Sequence, residues 1–270
     1  MTLTALLRRR RAPERAHPLS LDLAELLPAV VVMGWITIVL AIDHLVDAWG
    51  QLALGIATWA LLFVMLARRP RLVRIQVGVV VVFATLIEYT FSPVLEVYTY
   101  RLGGVAGVPS FVPPGHGLVY FAALTLGGSA LFIRWRRPLV VATVVLGGAY
   151  AAWGLWLSPQ PDALGAFWYL CLVGFIAFGR QQLVYVGAFI VVTYLEILGT
   201  HWGVWRWATQ DPTGLVSIGN PPSVAAGGYG WFDLAAITFA PWLLVRYDAL
   251  ARRLRAVGRR ERTGAADRSS

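Results

Sequence analysis

The chain has 270 residues, of which 58% are hydrophobic and 14% are charged. This composition, with a mean hydropathy of +0.65, excludes a water-soluble globular domain, a disordered chain and a collagen-like repeat. The single cysteine, Cys171, excludes an internal disulfide framework. All 23 basic residues are arginine and the net charge is +9. Because the arginines flank long apolar runs, they indicate a membrane protein rather than a nucleic-acid-binding protein.

Eight apolar runs are long enough to cross the roughly 30 Å hydrocarbon core of a bilayer. The sequence therefore predicts an all-α membrane bundle of eight transmembrane helices. In chain order, the runs cover residues 24–42, 50–67, 73–95, 115–133, 138–157, 162–179, 182–200 and 231–248.

The arginines also predict the orientation of the chain. If the helices alternate from a cytoplasmic N-terminus, every arginine except Arg101 and Arg206 falls on the cytoplasmic side. The positive-inside rule favours this arrangement, and one helix more or fewer would destroy the asymmetry. We therefore expect a multi-pass protein of the plasma membrane with both termini cytoplasmic and residues 257–270 forming a disordered basic tail.

The two long external connections, near residues 96–114 and 201–230, resemble each other. Each carries the same succession of features, namely a membrane glutamate, two aromatic residues around one other residue, Gly-x-Pro, Gly-x-Gly and Ala-Ala-x-Thr. The corresponding residues are Glu88 and Glu196, Tyr98–Tyr100 and Trp205–Trp207, Gly107 and Gly219, His116 and Tyr229, and Ala122 and Ala235. This order predicts a parallel internal repeat, with residues 1–137 and 138–256 as the halves, about an axis along the membrane normal.

Such an axis places Glu88 and Glu196 at the same depth, in the outer half of the bilayer. A carboxylate at that depth is costly unless it is paired, protonated or hydrated. Two facing carboxylates can supply a proton donor and a base in a dry setting, which is what acid–base catalysis requires. We predict that they are catalytic, the alternative being that each bonds a neighbouring helix or orders a loop.

Other polar and aromatic side chains on the outer side complete the predicted site. His116 and Asp233, which each open a helix, are predicted to be catalytic, although both positions also suit helix caps. The predicted substrate-binding residues are Tyr98, Tyr100, His44, His201, Trp205, Trp207 and Trp231. Their aromatic members could stack on a polyene and stabilise positive charge, or could belong to the interfacial aromatic belt. No HxxxH or HExxH spacing occurs, so we expect neither a metal nor another cofactor.

These features resemble the integral-membrane carotenoid-biosynthesis proteins related to the carotenoid 1,2-hydratases. The matching residues are Glu88, Tyr98, Tyr100, Gly107–Pro109, Trp205, Trp207, Gly219–Pro221 and Gly230–Trp231. The chain departs from that pattern at Val94–Glu96, where Pro-Phe-Gly is expected before Tyr-x-Tyr. The resemblance implies a lyase-type enzyme that hydrates an isolated terminal double bond of an isoprenoid lipid.

Two other functional classes remain open from the sequence. A parallel repeat with buried charges and Gly/Pro-interrupted segments is also typical of small-solute or proton-coupled transporters. The polar groups collect at one face, however, which favours an enzyme over alternating access. A non-catalytic membrane assembly protein is the third possibility. The expected partners are the lipid bilayer and a lipid-like small molecule, without nucleic acid, and the sequence leaves the oligomeric state open.

Overall fold

The structure, a computed structural model, describes residues 23–266, with side chains for residues 24–250 and 252. The described part is mostly helical and contains two short strands. The helices are α1 (Leu23–Asp43), α2 (Ala48–Leu66), α3 (Arg71–Phe91), α4 (Val112–Gly128), α5 (Ala130–Arg134), α6 (Arg136–Trp156), α7 (Ala163–Phe178), α8 (Gln182–His201) and α9 (Ala226–Ala266). The strands are β1 (Tyr98–Tyr100) and β2 (Trp205–Trp207).

Five helices, α1, α2, α3, α6 and α8, are long and apolar enough to cross a membrane, and α7 is a shorter apolar helix of 16 residues. They define a multi-pass membrane protein built as a helical bundle, as the sequence predicts. The remaining predicted runs lie on α4–α5, α7 and α9. The number of crossings and the cytoplasmic location of the termini stay predictions.

Several helix ends differ from the predicted runs, and prolines or caps explain most differences. Helix α3 ends at Phe91 because Pro93 follows closely and cannot continue a helix. Helix α4 begins with prolines in its first turn, where their missing N–H groups cost nothing. Ser129 interrupts the run predicted over 115–133 and caps α5 by accepting the Phe132 N–H at 3.3 Å.

Helix α9 extends into the region that the sequence predicts to be a disordered tail, residues 257–270. It continues to Ala266. Its last part is rich in alanine and arginine, which favour helix strongly. The remaining tail residues, 267–270, and the basic N-terminal residues 1–22 lie outside the described residues.

A small antiparallel sheet joins the two long connections. Strands β1 and β2 pair with Tyr98 opposite Trp207, Thr99 opposite Arg206 and Tyr100 opposite Trp205. Both aromatic pairs are evident in the sequence, but their strand conformation is not. Aromatic side chains favour strands, and the alternation of a strand places both members of each pair on the same face.

Two helix pairs make extensive contacts in the bundle. Helix α4 packs on α8, and α9 packs on α3. The α4–α8 approach is close, since a Cβ at Gly187 would lie 2.7 Å from the Ala123 carbonyl oxygen. If α3 corresponds to α8 and α4 to α9, as the predicted repeat requires, these two packing interfaces are equivalent.

Two side-chain anchors hold the connections in place. Asp162, fully buried at the start of α7, accepts N–H groups of Gly165, Gly219 and Ser223, and so fixes the connection before α9. The Arg101 guanidinium donates to the carbonyl oxygens of Asp43 and Val46, which ties the end of β1 to the α1–α2 connection.

Candidate functional site

A cavity of about 500 Å³ lies inside the bundle against the two-stranded sheet. Helices α1, α2, α3, α4, α7, α8 and α9 and both strands contribute to its wall, which is largely apolar and aromatic. Its acidic and basic lining residues are Glu88, Glu196 and His116. The volume is within the range of small-molecule sites, which is typically about 300–1,000 Å³.

Glu88, on α3, is held by the two tyrosines of β1. Its Oε2 accepts the Tyr98 hydroxyl at 2.9 Å and the Tyr100 hydroxyl at 2.7 Å. Burial, reinforced by the negative charge of Glu88, raises the pKa of both tyrosines well above the usual value of 10. Both therefore remain neutral hydrogen-bond donors at physiological pH.

The other oxygen of Glu88 faces His116, on α4, at hydrogen-bonding distance. His116 Nδ1 lies 3.1 Å from the Val112 carbonyl oxygen, which can only accept, so Nδ1 carries a hydrogen. His116 Nε2 lies 3.2 Å from Glu88 Oε1. Either a protonated carboxyl donates to Nε2, or a protonated Nε2 donates to the carboxylate. In both cases the Glu88–His116 couple holds one mobile proton.

Glu196, on α8, is held differently. Its Oε2 accepts the indole N–H groups of Trp205 and Trp207, each at 3.1 Å. The Tyr229 hydroxyl also lies within electrostatic reach of this carboxyl group. An indole nitrogen can only donate, so this environment favours a hydrogen-bond acceptor. An ionised carboxylate accepts on both of its oxygens.

The two carboxyl groups belong to one site because their partners touch. The His116 ring stacks on the Tyr229 ring with centroids 5.2 Å apart and planes 12° apart. Tyr98 contacts Trp207 across the sheet with ring centroids 4.6 Å apart. Each glutamate therefore has an aromatic pair from a strand and a ring from the first turns of a helix.

The cavity brings together most of the predicted site residues. Its wall includes Glu88, Glu196, His116, Tyr98, Tyr100, Trp205, Trp207 and Trp231. Three predicted residues do not line it. His44 and His201 both lie beside Trp202, with ring centroids 6.2 and 6.4 Å from that indole. Asp233 is buried in α9, one helical turn beyond Tyr229.

Tyr229 is the main site residue that the sequence predictions omitted. It occupies the same place in Gly228-Tyr-Gly230 as His116 does in Gly115-His-Gly117. The alignment of the two repeats could have predicted this residue, because it places Tyr229 beside Glu196 in the same way as it places His116 beside Glu88.

Within the described residues, no three His, Cys, Asp or Glu side chains come together as a metal site. The chain matches no known protein-family profile, and no curated protein or solved structure is significantly similar to it. The fold and the cavity thus define a multi-pass membrane protein with an internal aromatic-walled site that contains two buried carboxyl groups.

Proposed function

We propose that this protein is an integral-membrane enzyme that adds water to an isolated double bond of a lipid-like isoprenoid, such as a carotenoid. One observation carries the proposal. The same apolar cavity contains the Glu88–His116 couple, with its mobile proton, and Glu196, which accepts two indole N–H groups. A proton donor and a base therefore face the same cavity.

The proposed reaction balances without a cofactor. The Glu88–His116 couple gives its proton to the inner alkene carbon, which carries one hydrogen, and the π electrons form the new C–H bond. The terminal alkene carbon, which carries two methyl groups, becomes a tertiary cation. The oxygen of a water molecule forms a bond to that carbon, and Glu196 accepts the proton that the water loses. The product is a tertiary alcohol, and proton exchange with solvent resets both acidic groups.

The aromatic wall suits the cationic intermediate. Trp205, Trp207, Tyr98 and Tyr100 present aromatic rings to the cavity, and ring faces attract positive charge by about 0.5–2 kcal/mol each. The nearby Glu196 adds electrostatic stabilisation, which is strongest where water is excluded.

The outer wall of the cavity supports entry from the lipid phase. Phe167 on α7 and Trp231 on α9 both line the cavity, yet they are 55% and 49% exposed on the surface of the bundle. An apolar chain could pass between them while its remainder stays in the bilayer. This route favours an isoprenoid lipid over a hydrophilic solute, and hence the enzyme over a solute transporter.

The internal repeat and the resemblance to carotenoid hydratases are part of the same proposal. The antiparallel register supports the repeat, because a two-fold rotation about the Thr99–Arg206 pair exchanges the Tyr-x-Tyr and Trp-x-Trp strands. The matching donors on Glu88 and Glu196 support it further. We also propose the plasma membrane as the location, on the arginine asymmetry.

The test is a hydration assay with purified protein in lipid vesicles. Lycopene, which has isolated terminal double bonds, serves as the probe in water enriched in ¹⁸O, and mass spectrometry follows incorporation of one labelled oxygen. We expect Glu88→Gln and Glu196→Gln each to lower the rate by at least about 100-fold, the usual contribution of a general acid or base. The double variant should lose little more, because groups that act as a unit are non-additive.

Glu96→Gln is the matched control, since Glu96 is exposed in the connection after α3 and should tolerate the same change. Folded wild-type protein that leaves lycopene unlabelled, or Gln variants that remain active, would contradict the proposal. Unchanged lipids together with altered solute uptake in cells that express the protein would instead support the transporter.

A further inference from the structure

Three buried polar groups form a second cluster that the proposed reaction does not use. They are Asp233 on α9, Tyr120 on α4 and Tyr185 on α8, with exposed fractions of 4%, 1% and 0%. Asp233 Oδ2 and both tyrosine hydroxyls have no hydrogen-bond partner within the described part of the chain. Native proteins rarely leave buried polar atoms unsatisfied, so such a cluster indicates an unseen polar occupant.

The cluster lies in a separate layer from the cavity. Tyr120 follows His116 by one helical turn, and Asp233 follows Tyr229 by one turn, so each lies next to a cavity residue on the same helical face. None of the three cluster residues lines the cavity itself. Both hydroxyls lie within electrostatic reach of the Asp233 carboxyl group.

Among the side chains that the structure describes, no positive charge compensates Asp233. The titratable groups that face it are Tyr120 from α4 and Tyr185 from α8. Helices α3 and α7, which also pack on α9, contribute no cationic side chain within electrostatic reach among the described residues. An ionised carboxylate in this position would be a buried, unpaired charge, which proteins avoid by neutralising the group.

We propose that Asp233, Tyr120 and Tyr185 form a proton-binding site in which a protonated Asp233 carboxyl is bridged to the two hydroxyls by water. A neutral carboxyl has one O–H donor and free acceptor sites, and each hydroxyl both donates and accepts. One water molecule with three such partners satisfies every open group, as buried waters commonly do. The site is independent of what the cavity binds.

Infrared spectroscopy of the protein in lipid vesicles at neutral pH tests this site. Labelling the aspartate side-chain carboxyl carbon with ¹³C lowers the frequency of a protonated aspartate band and so separates it from any glutamate band. We expect one labelled band, which shifts in D₂O and disappears in Asp233→Asn. Tyr120→Phe and Tyr185→Phe should each shift the band, because each removes one partner of the bridging water.

Asp211→Asn is the control, because Asp211 lies in the connection before α9 and its pKa is lowered, first by the Thr213 hydroxyl that bonds to it. This variant should leave the band unchanged. A wild-type spectrum without a labelled protonated-carboxyl band would overturn the proposal, and so would a band that neither tyrosine variant moves. Loss of the band when sodium chloride replaces choline chloride would assign the site to a metal cation instead. If Asp233→Asn does not fold, the spectra of the labelled wild-type protein and of the two tyrosine variants still test the proposal.

Discussion

Tyr98 and Trp207 face each other across the two-stranded sheet, yet they donate to different carboxyl groups. The Tyr98 hydroxyl bonds to Glu88, and the Trp207 indole bonds to Glu196. Their rings are in contact, with centroids 4.6 Å apart. The sheet therefore links the positions of two glutamates that lie on separate helices, α3 and α8.

The tyrosine donors should contribute measurably to stability. Tyr98→Phe and Tyr100→Phe should each lower the free energy of unfolding by about 1–3 kcal/mol, because each removes a bond to a buried charged or proton-sharing group. Denaturation in detergent, followed by tryptophan fluorescence, measures the effect. Tyr89→Phe is the control, since that hydroxyl donates to an exposed carbonyl, that of Val105, and its loss should cost less. Equal effects for all three variants would contradict the assigned hydrogen bonds.

The same tyrosines predict an alkaline dependence of stability. Their pKa values are raised in the folded protein, chiefly by burial and then by Glu88. Above pH 10 the unfolded chain releases protons that the folded chain retains, so the free energy of unfolding falls as pH rises. Equilibrium unfolding from pH 9 to 11 should show a steeper fall for wild type than for a Tyr98→Phe/Tyr100→Phe double variant. Parallel curves would mean that these hydroxyls titrate normally.

The strand register can be tested by a disulfide. Thr99 and Arg206 are exposed and directly opposite each other, and opposed Cα atoms are about 5.5 Å apart in such a hydrogen-bonded pair, within disulfide range. In a Cys171→Ser background, Thr99→Cys/Arg206→Cys should cross-link on mild oxidation and shift in a non-reducing gel. Thr99→Cys/Thr209→Cys, three residues out of register, should not. Equal cross-linking of both pairs would refute the register.

The predicted topology requires the connection after α3 and the one before α9 to be external. In the Cys171→Ser background, Val94→Cys and Leu215→Cys should react with an impermeant maleimide on intact cells, since these positions are exposed. Arg68→Cys and Arg180→Cys, also exposed, should react only after permeabilisation. The reverse pattern would invert the orientation, and a mixed pattern would change the number of crossings.

Filling the cavity should block binding without unfolding the protein. Gly115 lines the cavity, and no heavy atom lies within 4 Å of a Cβ built there. Gly115→Leu should therefore weaken binding of lycopene by at least about tenfold, or about 1.4 kcal/mol, measured by carotenoid absorbance that co-purifies with the protein. Its control is Gly174→Leu, which has the same free space but does not line the cavity. Unchanged binding in Gly115→Leu would place the ligand elsewhere.

Much of the architecture follows from the sequence alone. Apolar runs such as 182–200 coincide closely with helices because a bilayer requires every backbone group to bond within its own segment. The repeated glutamates and aromatic pairs also identified both carboxyl groups of the cavity and their hydrogen-bond donors, since buried carboxyl groups in an apolar run need donors nearby. The predicted helix ends are less accurate than the predicted helices, as at Ser129 and Ala226, where caps and tertiary contacts decide the boundary.

The tertiary structure alone decided how these residues combine. Only the packed helices show that His116 lies against Glu88, that Tyr229 lies near Glu196, and that Asp233 lies outside the cavity. These relationships depend on the rotation of α4 and α9 about their axes and on pairing between strands that are distant in the chain. A local sequence pattern specifies which residue types are present at a given depth, whereas the direction in which each side chain points depends on the neighbours that pack against its helix.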